Sequence, residues 1–331
     1  MATILVTGAT GFVGSHTVPA LLAAGHRVIG LVRTSASATS LAAGPLAALP
    51  VDQRARFSTR TGDVTEPASL PAALAGVAAI VHLVAIPRDF NSGRDLARVN
   101  IEGTRNVVQA AHSAGVRRFV HLGAMGVVED PNLHYANSKA LAERIVRESS
   151  LDWTILKPSL MWGEGDGFFG IIARLARWSP LVIPVPGNGK SRFQPLWVGD
   201  LAHVIVFCLE HPETVGQTHE LGGPTYWTYR EITREVLGAT GRQRVILPMP
   251  VPLISLVARA NELIHGPFPV ASDQLRQLKL DNIGPLDGVS RAFGVEPRAM
   301  NGHLGYLRRR GRSGGQPGAG VDQPASDGSA A

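Results

Sequence analysis

Tyr135 and Lys139 are the two residues whose types and spacing most directly suggest chemistry. They lie four positions apart in "HYANSKALAERIVRES" (residues 134–149), a segment with helical apolar spacing. Their side chains therefore share one face of the helix. A lysine ammonium near a phenol lowers the phenol pKa from about 10 toward neutrality, which makes the phenol a usable general acid or base. The pair predicts proton transfer, although an ordinary helix with an exposed lysine stays open as an alternative.

A glycine-rich turn follows the first predicted strand. "TILVTGATGFVG" (residues 3–14) spaces Gly8, Gly11 and Gly14 as GxxGxxG between that strand and the start of a helix. The first glycine permits a tight turn, and the second lets the backbone approach a pyrophosphate. The third lets the helix pack on the strand, with its N-terminal N–H groups aimed at the phosphates. This context favours a dinucleotide site, which would also include Thr10, Phe12 and Val13.

The end of the second strand distinguishes the two nicotinamide cofactors. NAD sites usually place an Asp or Glu about 20 residues beyond the glycines, but the first acidic residue of this chain is Asp52. Arg33 stands at the expected place, and an arginine accommodates a 2′-phosphate. NADP is therefore preferred and NAD stays possible. The alternative is that Arg33 simply ends the strand in solvent.

A second carboxylate follows the third strand. Asp63 in "TGDVTE" could bind the adenine edge together with the N–H of Val64, or it could only stabilise the turn.

Strand–helix alternation over the first 160 residues predicts the fold class. Short apolar runs alternate with segments of helical spacing, and the runs predicted to be buried strands are 3–7, 27–32, 56–59, 79–85, 118–124 and 153–159. This pattern predicts an α/β protein with a Rossmann-type, doubly wound parallel sheet. We predict a dinucleotide-binding core over 1–160, a small mixed α/β substrate lobe with sheet-edge helices over 161–310, and a disordered tail over 311–331.

Composition restricts the classes of function. The net charge is +6, but the arginines that produce it are scattered along the chain, so we expect no nucleic-acid partner. The single cysteine, Cys208, lies in a predicted buried helix, and the dispersed histidines predict no metal site. We see no signal peptide and no apolar run long enough to span a membrane, so a cytoplasmic location is expected. The segment 250–270 carries an apolar stripe, for which packing on the sheet edge is preferred over contact with a membrane surface.

These motifs together resemble a known superfamily. GATGFVG, the Asp63–Val64 step, "YANSK" and "SRFQPLWVGDLA" are similar to the extended and atypical short-chain dehydrogenases/reductases, which include the NAD-dependent epimerases/dehydratases. "LKPSLMWGEGDGFFG" and "LPMPVPLISLVARANEL" further resemble bacterial relatives of the NADPH-binding accessory subunit of respiratory complex I. The resemblance runs from residue 2 to about residue 310.

The resemblance assigns roles position by position. It makes the three glycines the phosphate turn, Arg33 the partner of the 2′-phosphate, and Asp63 with Val64 the neighbours of the adenine. It makes Tyr135 and Lys139 the catalytic pair, with the lysine also holding the nicotinamide ribose. The nicotinamide would be lined by His82, Leu83, Val84 and Ala85 on one side and by Lys157, Pro158 and Ser159 after the strand beneath it.

One position departs from the superfamily pattern. The end of the fifth strand usually offers a Ser or Thr that binds the substrate carbonyl beside the tyrosine, but this chain has Gly123 and Ala124. Losing such a donor can cost on the order of a hundredfold in rate. A water could replace it, or the chemistry could be slow or absent.

The sequence leaves three classes of function open. The preferred one is an NADPH-dependent oxidoreductase acting on a small apolar carbonyl or quinone-like substrate, because the candidate pocket residues are mostly apolar: Ile86, Pro87, Met125, Met161, Trp162, Phe168 and Phe169. The second is a non-catalytic NADPH-binding accessory, assembly or redox-sensing protein, with possible peripheral association with a membrane complex. The third, a nucleotide-sugar epimerase or dehydratase, has few polar candidates beyond Arg88, Asn188 and Arg192. The oligomeric state is not readable from the sequence.

Overall fold

A seven-stranded parallel sheet forms the centre of the computed structural model, which describes residues 1–44, 46–89, 91–250, 252–253 and 281–308. Every neighbouring pair of strands in the sheet is parallel, and the order across it is β3 (Phe57–Thr61), β2 (Arg27–Val32), β1 (Thr3–Thr7), β4 (Ala79–His82), β5 (Arg118–Leu122), β6 (Asp152–Pro158) and β11 (Gln217–Leu221). The first six strands thus follow the Rossmann order, and the predicted fold class is confirmed. The other strands, in chain order, are β7 (Met161–Trp162), β8 (Val182–Pro186), β9 (Arg192–Phe193), β10 (Leu196–Trp197), β12 (Trp227–Thr228) and β13 (Val245–Met249).

Helices cover both faces of this sheet. They are α1 (Phe12–Ala23), α2 (Ser35–Ala43), α3 (Val51–Arg54), α4 (Leu70–Leu74), α5 (Arg94–Leu96), α6 (Gly103–Ser113), α7 (His134–Arg147), α8 (Phe168–Trp178), α9 (Val198–Glu210), α10 (Tyr229–Thr240) and α11 (Gly288–Phe293). A π-helical turn, Ala97–Glu102, joins α5 to α6. Among the described residues, no helix is long and apolar enough to cross a membrane.

Alternation along the strands divides the core into two layers. Ile4 and Val6 of β1 face one side with α1 and α9, while Leu5 between them faces α4, α6 and α7 on the other. All three are at most 1% exposed, as expected for a parallel sheet covered on both faces. Cys208 of α9 is fully buried in the first layer, which confirms it as a small core residue.

The second half of the chain contributes to both the sheet and a separate apolar cluster. Strand β11 adds to the sheet edge beside β6, and α9 packs on α1. Elsewhere α8, α10 and three two-stranded ribbons (β7 with β10, β8 with β13, β9 with β12) enclose a cluster around Trp162, Phe169 and Tyr229. The domain boundary near residue 160 therefore stays a prediction. The apolar stripe at 250–270 lies almost wholly outside the described residues, and the tail at 311–331 lies entirely outside them.

The third glycine of the turn is required by close packing of α1 against the end of β1. A Cβ added at Gly14 would lie 2.3 Å from the carbonyl oxygen of Gly8 and 2.6 Å from the Cα of Ala9, both backbone atoms that have no room to move. The glycine turn and the helix start are thus fixed relative to each other by contact.

We expect Gly14→Ala to lower the free energy of unfolding by on the order of 1–3 kcal/mol, because overpacking forces backbone shifts. Denaturant unfolding measures this. Gly238→Ala is the matched control, since Gly238 lies within α10 with nothing within 4 Å of an added Cβ. That change should stabilise the protein by about 0.5–1 kcal/mol. Equal stabilities of Gly14→Ala and the wild type would contradict the packing argument.

Candidate active site

The glycine turn offers an anion site at the start of α1. Gly8 has φ +71°, and a Cβ there would lie 3.1 Å from both the Leu83 carbonyl carbon and the Val84 nitrogen, so the turn packs directly on the loop after β4. Helix α1 begins after Gly11 with no acidic residue in its first turn. In the described part of the chain no side chain caps it. Its first N–H groups are therefore available to a phosphate.

A buried hydrogen-bond chain ties the ends of β1 and β4 to α6. The hydroxyl of Thr104 donates to the backbone oxygen of Asn100 (2.6 Å), so it accepts from Nε2 of His82 (3.1 Å). Nδ1 of His82 then accepts from the hydroxyl of Thr7 (2.8 Å). Burial, with a smaller effect of the Lys139 charge, lowers the pKa of His82 to about 3. The His82 side chain is thus a neutral structural link.

Asn100 connects the loop after β4 to the helix that bears the tyrosine. Its Oδ1 accepts from the N–H of Ile86 (2.9 Å), and its Nδ2 donates to the oxygen of Ile86 (3.1 Å) and to Oγ of Ser138 (3.0 Å). Asn100 lies in the π-helical turn, a feature frequent at functional sites. Loop and helix are therefore held at a fixed separation beside the ends of the strands.

Tyr135 and Lys139 lie on the face of α7 that packs towards the end of β5. Lys139 is 3% exposed, and its Nζ donates to the backbone oxygen of Leu122 (2.5 Å). Burial lowers the pKa of Lys139 to about 8, against an opposing effect of Glu143. Burial and the negative charge of Glu143 raise the pKa of Tyr135 to about 12. This direction is opposite to the one that the Tyr135–Lys139 spacing predicted, because desolvation and the carboxylate of Glu143 both disfavour the phenolate.

Glu143 extends the same face of α7 by one further turn. It is 3% exposed, its carboxylate lies 3.5 Å from Nζ of Lys157 on β6, and it accepts from the N–H of Ala124 (3.3 Å). A Cβ on Gly123 would lie only 2.4 Å from its Oε1. The carboxylate therefore occupies the space beside the end of β5 that a side chain at position 123 would need.

Sequence comparison now places the chain in a family. The sequence profile described as the NAD dependent epimerase/dehydratase family matches residues 4–222. The chain belongs to this family. A 3-beta-hydroxysteroid dehydrogenase of Mycolicibacterium neoaurum is 26% identical over 333 residues, which cover 89% of this chain and 87% of that protein. The mitochondrial NADH dehydrogenase (ubiquinone) 1 alpha subcomplex subunit 9 of Arabidopsis thaliana is 27% identical, over 85% of this chain and 68% of that protein.

Solved structures support the fold of this epimerase/dehydratase family member. The crystal structure of DesIV, a dTDP-glucose 4,6-dehydratase from Streptomyces venezuelae with NAD bound, matches 92% of this chain and 96% of its own, with a TM-score of 0.69 and 24% identity. At this identity the likeness shows the fold alone. The resemblance to short-chain dehydrogenases/reductases and to the complex I subunit is confirmed, and hydroxysteroid dehydrogenases are also among the relatives.

The residues predicted to bind the 2′-phosphate and the adenine follow the ends of β2 and β3. Arg33 is exposed directly after β2, and Asp63 is half-buried after β3. Oδ1 of Asp63 accepts from both the N–H (2.8 Å) and the hydroxyl (2.9 Å) of Thr65, so the carboxylate stabilises its own turn. Val64 is buried, and its carbonyl accepts from Asn106 (2.9 Å). The adenine role of Asp63 and Val64 stays a prediction.

The residues predicted beneath the nicotinamide have structural partners. Lys157 is bound to Glu143, and Pro158 is buried at the end of β6. The hydroxyl of Ser159 contacts Oδ1 of Asn282 (2.5 Å) and accepts from the N–H of Gln194 (3.1 Å). The Ser159 side chain thus joins β6 to the second half of the chain, and its contact with a cofactor stays a prediction.

Part of the predicted apolar pocket is core. Met125, Trp162 and Phe169 are at most 4% exposed, whereas Met161 and Phe168 are half-buried. Both Trp162 and Phe169 belong to the cluster around Tyr229. Among the residues that the structure describes, no group of three or more His, Cys, Asp or Glu side chains could hold a metal ion.

The sequence reasoning missed two site residues, Asn100 and Glu143. Glu143 had a readable signal, since it follows Tyr135 by eight residues and Lys139 by four, and such positions share a helix face. Asn100 had no readable signal. The π-helical turn that carries it changes which side chains share a face, and the apolar spacing of the segment does not reveal that change.

We expect Glu143→Gln to lower the pKa of Lys139 below about 8 and that of Tyr135 below about 12, because the carboxylate raises both. Reactivity of the lysines toward acetic anhydride as a function of pH, read by mass spectrometry, measures the first effect. Glu129→Gln is the matched control, since Glu129 pairs with Arg144 of the same helix but is exposed. An unchanged Lys139 titration in a folded Glu143→Gln protein would refute the assignment.

Proposed function

We propose that this chain is an NADPH-dependent oxidoreductase acting on a small apolar carbonyl or quinone-like substrate. The observation that carries the proposal is the position of the Tyr135–Lys139 pair beside the ends of the parallel strands, where open α/β sheets bind ligands. Lys139 is buried with its Nζ bound to the last carbonyl of β5, and Tyr135 is half-buried one turn earlier on α7. A buried ammonium one helical turn from a half-buried phenol is costly for a protein that only binds a cofactor, and it suits proton transfer.

The glycine turn fits a dinucleotide. Gly8 and Gly14 leave no space for a side chain between β1, α1 and the loop after β4, so a pyrophosphate can approach the backbone and the N–H groups of α1. Arg33 is exposed at the end of β2, and its charge favours the additional phosphate of NADPH. When bound, the cofactor supplies hydride at C4 of the nicotinamide.

The side chains of Tyr135 and Lys139 would carry out the proton transfer. With a pKa of about 12, the phenol of Tyr135 is protonated at neutral pH and can donate its proton to the oxygen of a reduced carbonyl. Lys139 lies one turn further along and would hold the ribose hydroxyls while its charge stabilises the phenolate that forms. This protonation state supports the proposed reduction, since the phenol holds the proton that the substrate oxygen would accept.

The substrate class rests on the polarity of the remaining side chains. Of the polar candidates for a sugar nucleotide, Arg192 forms an ion pair with Asp281 (2.6 Å), and Asn188 accepts from the N–H of Lys190 in an exposed turn. Met161 and Phe168 present partly exposed apolar surface. The likeness to a 3-beta-hydroxysteroid dehydrogenase supports an apolar carbonyl compound over a sugar nucleotide.

The position of Glu143 favours a second candidate function, an NADPH-binding accessory or sensing protein. Its carboxylate occupies the space beside Gly123, so a hydroxyl at that position would displace a buried charge. The likeness to a complex I subunit supports the same alternative, including peripheral association with a membrane complex.

We expect Tyr135→Phe to reduce NADPH oxidation by roughly 10²–10⁴-fold against a panel of ketones, aldehydes and quinones, with NADPH affinity unchanged, because the proton donor is lost. Tyr226→Phe is the control, since Tyr226 is partly exposed and its hydroxyl donates to the backbone oxygen of Gly284. Turnover that survives in Tyr135→Phe would refute the mechanism.

The same panel separates the two candidate functions. Tight NADPH binding without turnover in the wild type would favour the accessory role. A large gain in rate on Ala124→Ser would then identify the missing hydroxyl as the cause, because Ala124 is half-buried and follows Gly123 directly.

We expect Arg33→Gln to weaken NADPH binding by roughly 10–100-fold and to leave NADH binding almost unchanged, because only NADPH carries the 2′-phosphate for a charge-assisted hydrogen bond. Nicotinamide fluorescence titrations with both cofactors measure this. Arg27→Gln at the other end of β2 is the control. Equal losses for NADPH and NADH would contradict the assignment.

A further inference from the structure

The parallel ribbon formed by β8 and β13 has an unusual solvent face. Val182 pairs with Val245, Pro184 with Leu247 and Pro186 with Met249, and side chains of such partners point to the same side. Of the alternate residues, Ile183 and Val185 are buried and Ile246 packs on the core with Ile183, while Pro248 is exposed. The outward set is therefore apolar at every position, where a ribbon with one buried face normally shows polar residues.

This face continues into the turn before β8. Trp178, the last residue of α8, is 56% exposed, and Leu181 is 74% exposed. The N–H of Val245 donates to the oxygen of Leu181 (2.9 Å), so turn and ribbon are adjacent. We call the exposed members the ribbon patch: Trp178, Leu181, Val182, Val245 and Leu247. Adjacent large apolar side chains at such exposure indicate a docking surface.

The charged residues within the two segments that carry the ribbon patch have one sign. Residues 167–193 and 236–250, which carry the patch, contain no Asp or Glu. Their basic residues are Arg174, Arg177, Lys190, Arg192, Arg242 and Arg244. Within the part of the chain that the structure describes, only Arg192 of this set forms an ion pair, with Asp281. A surface complementary to the ribbon patch would therefore combine an apolar layer that accepts the patch with negative charges that face its basic residues.

We propose that the ribbon patch docks on an anionic lipid bilayer. Trp178, Leu181 and Leu247 would enter the boundary between headgroups and acyl chains, and the arginines would contact the anionic headgroups. A second copy of this chain fits less well, because a two-fold contact would bring the same arginines face to face. The docking does not depend on chemistry at Tyr135.

Co-sedimentation of the full chain with vesicles tests the proposal. We expect binding to phosphatidylcholine vesicles that contain phosphatidylserine and little binding to pure phosphatidylcholine. The double variant Trp178→Ser/Leu247→Ser should bind at least about tenfold more weakly, through lost apolar burial. The double variant Arg177→Gln/Arg242→Gln should lose roughly fivefold per charge, and added salt should weaken wild-type binding.

Val51→Ser is the matched control, because Val51 is 72% exposed on α3, outside the patch. It should bind vesicles as the wild type does, and thermal melting confirms that every variant is folded. Wild-type protein that fails to sediment with anionic vesicles, or a folded serine variant that binds equally well, overturns the proposal. A wild-type dimer in lipid-free light scattering that the serine variant converts to monomer would assign the patch to a second copy instead.

Discussion

The buried carboxylate of Glu143 is the constraint on which the arrangement of the candidate site depends. A carboxylate that is 3% exposed must be compensated, and here Lys157 of β6 and the N–H of Ala124 provide the compensation. These contacts fix α7 against the ends of two strands. Lys139, one turn earlier on α7, is then held under the last carbonyl of β5. The position of the candidate proton donor thus follows from a charge pair that need not touch the substrate.

The same constraint gives a physical reason for the glycine at the end of β5. Gly123 is the position where the carboxylate of Glu143 approaches the strand, and any Cβ there would collide with it. The absence of a hydroxyl at this point is therefore compatible with a site that keeps its other parts. A substrate oxygen would then be left with the phenol of Tyr135 or a water as its donor. Loss of chemistry does not follow from this departure alone.

The sequence was sufficient for the elements whose signal is local. The strands Thr3–Thr7 and Arg27–Val32 occur with the bounds read from their apolar runs, and the glycine turn follows the first of them. Contacts between distant segments were not readable, because no local pattern encodes them. Ser159 binds Asn282, 123 residues away, although the motif alone indicated a cofactor contact. The direction of the Tyr135 pKa also required the structure, since it follows from desolvation and from the charge of Glu143, which the Tyr135–Lys139 spacing does not include.

The two perturbed pKa values together indicate how the pair divides its work. Burial acts in opposite directions on the two groups, raising the pKa of the neutral acid Tyr135 to about 12 and lowering that of the cationic acid Lys139 to about 8. At neutral pH the phenol keeps its proton and the amine still carries its charge. A proton leaving the phenol creates an anion beside that charge, which is most favourable while Lys139 is protonated. The stabilising charge is therefore present below about pH 8 and is lost above it, so proton donation by the phenol, as proposed, should weaken as the pH rises through that value.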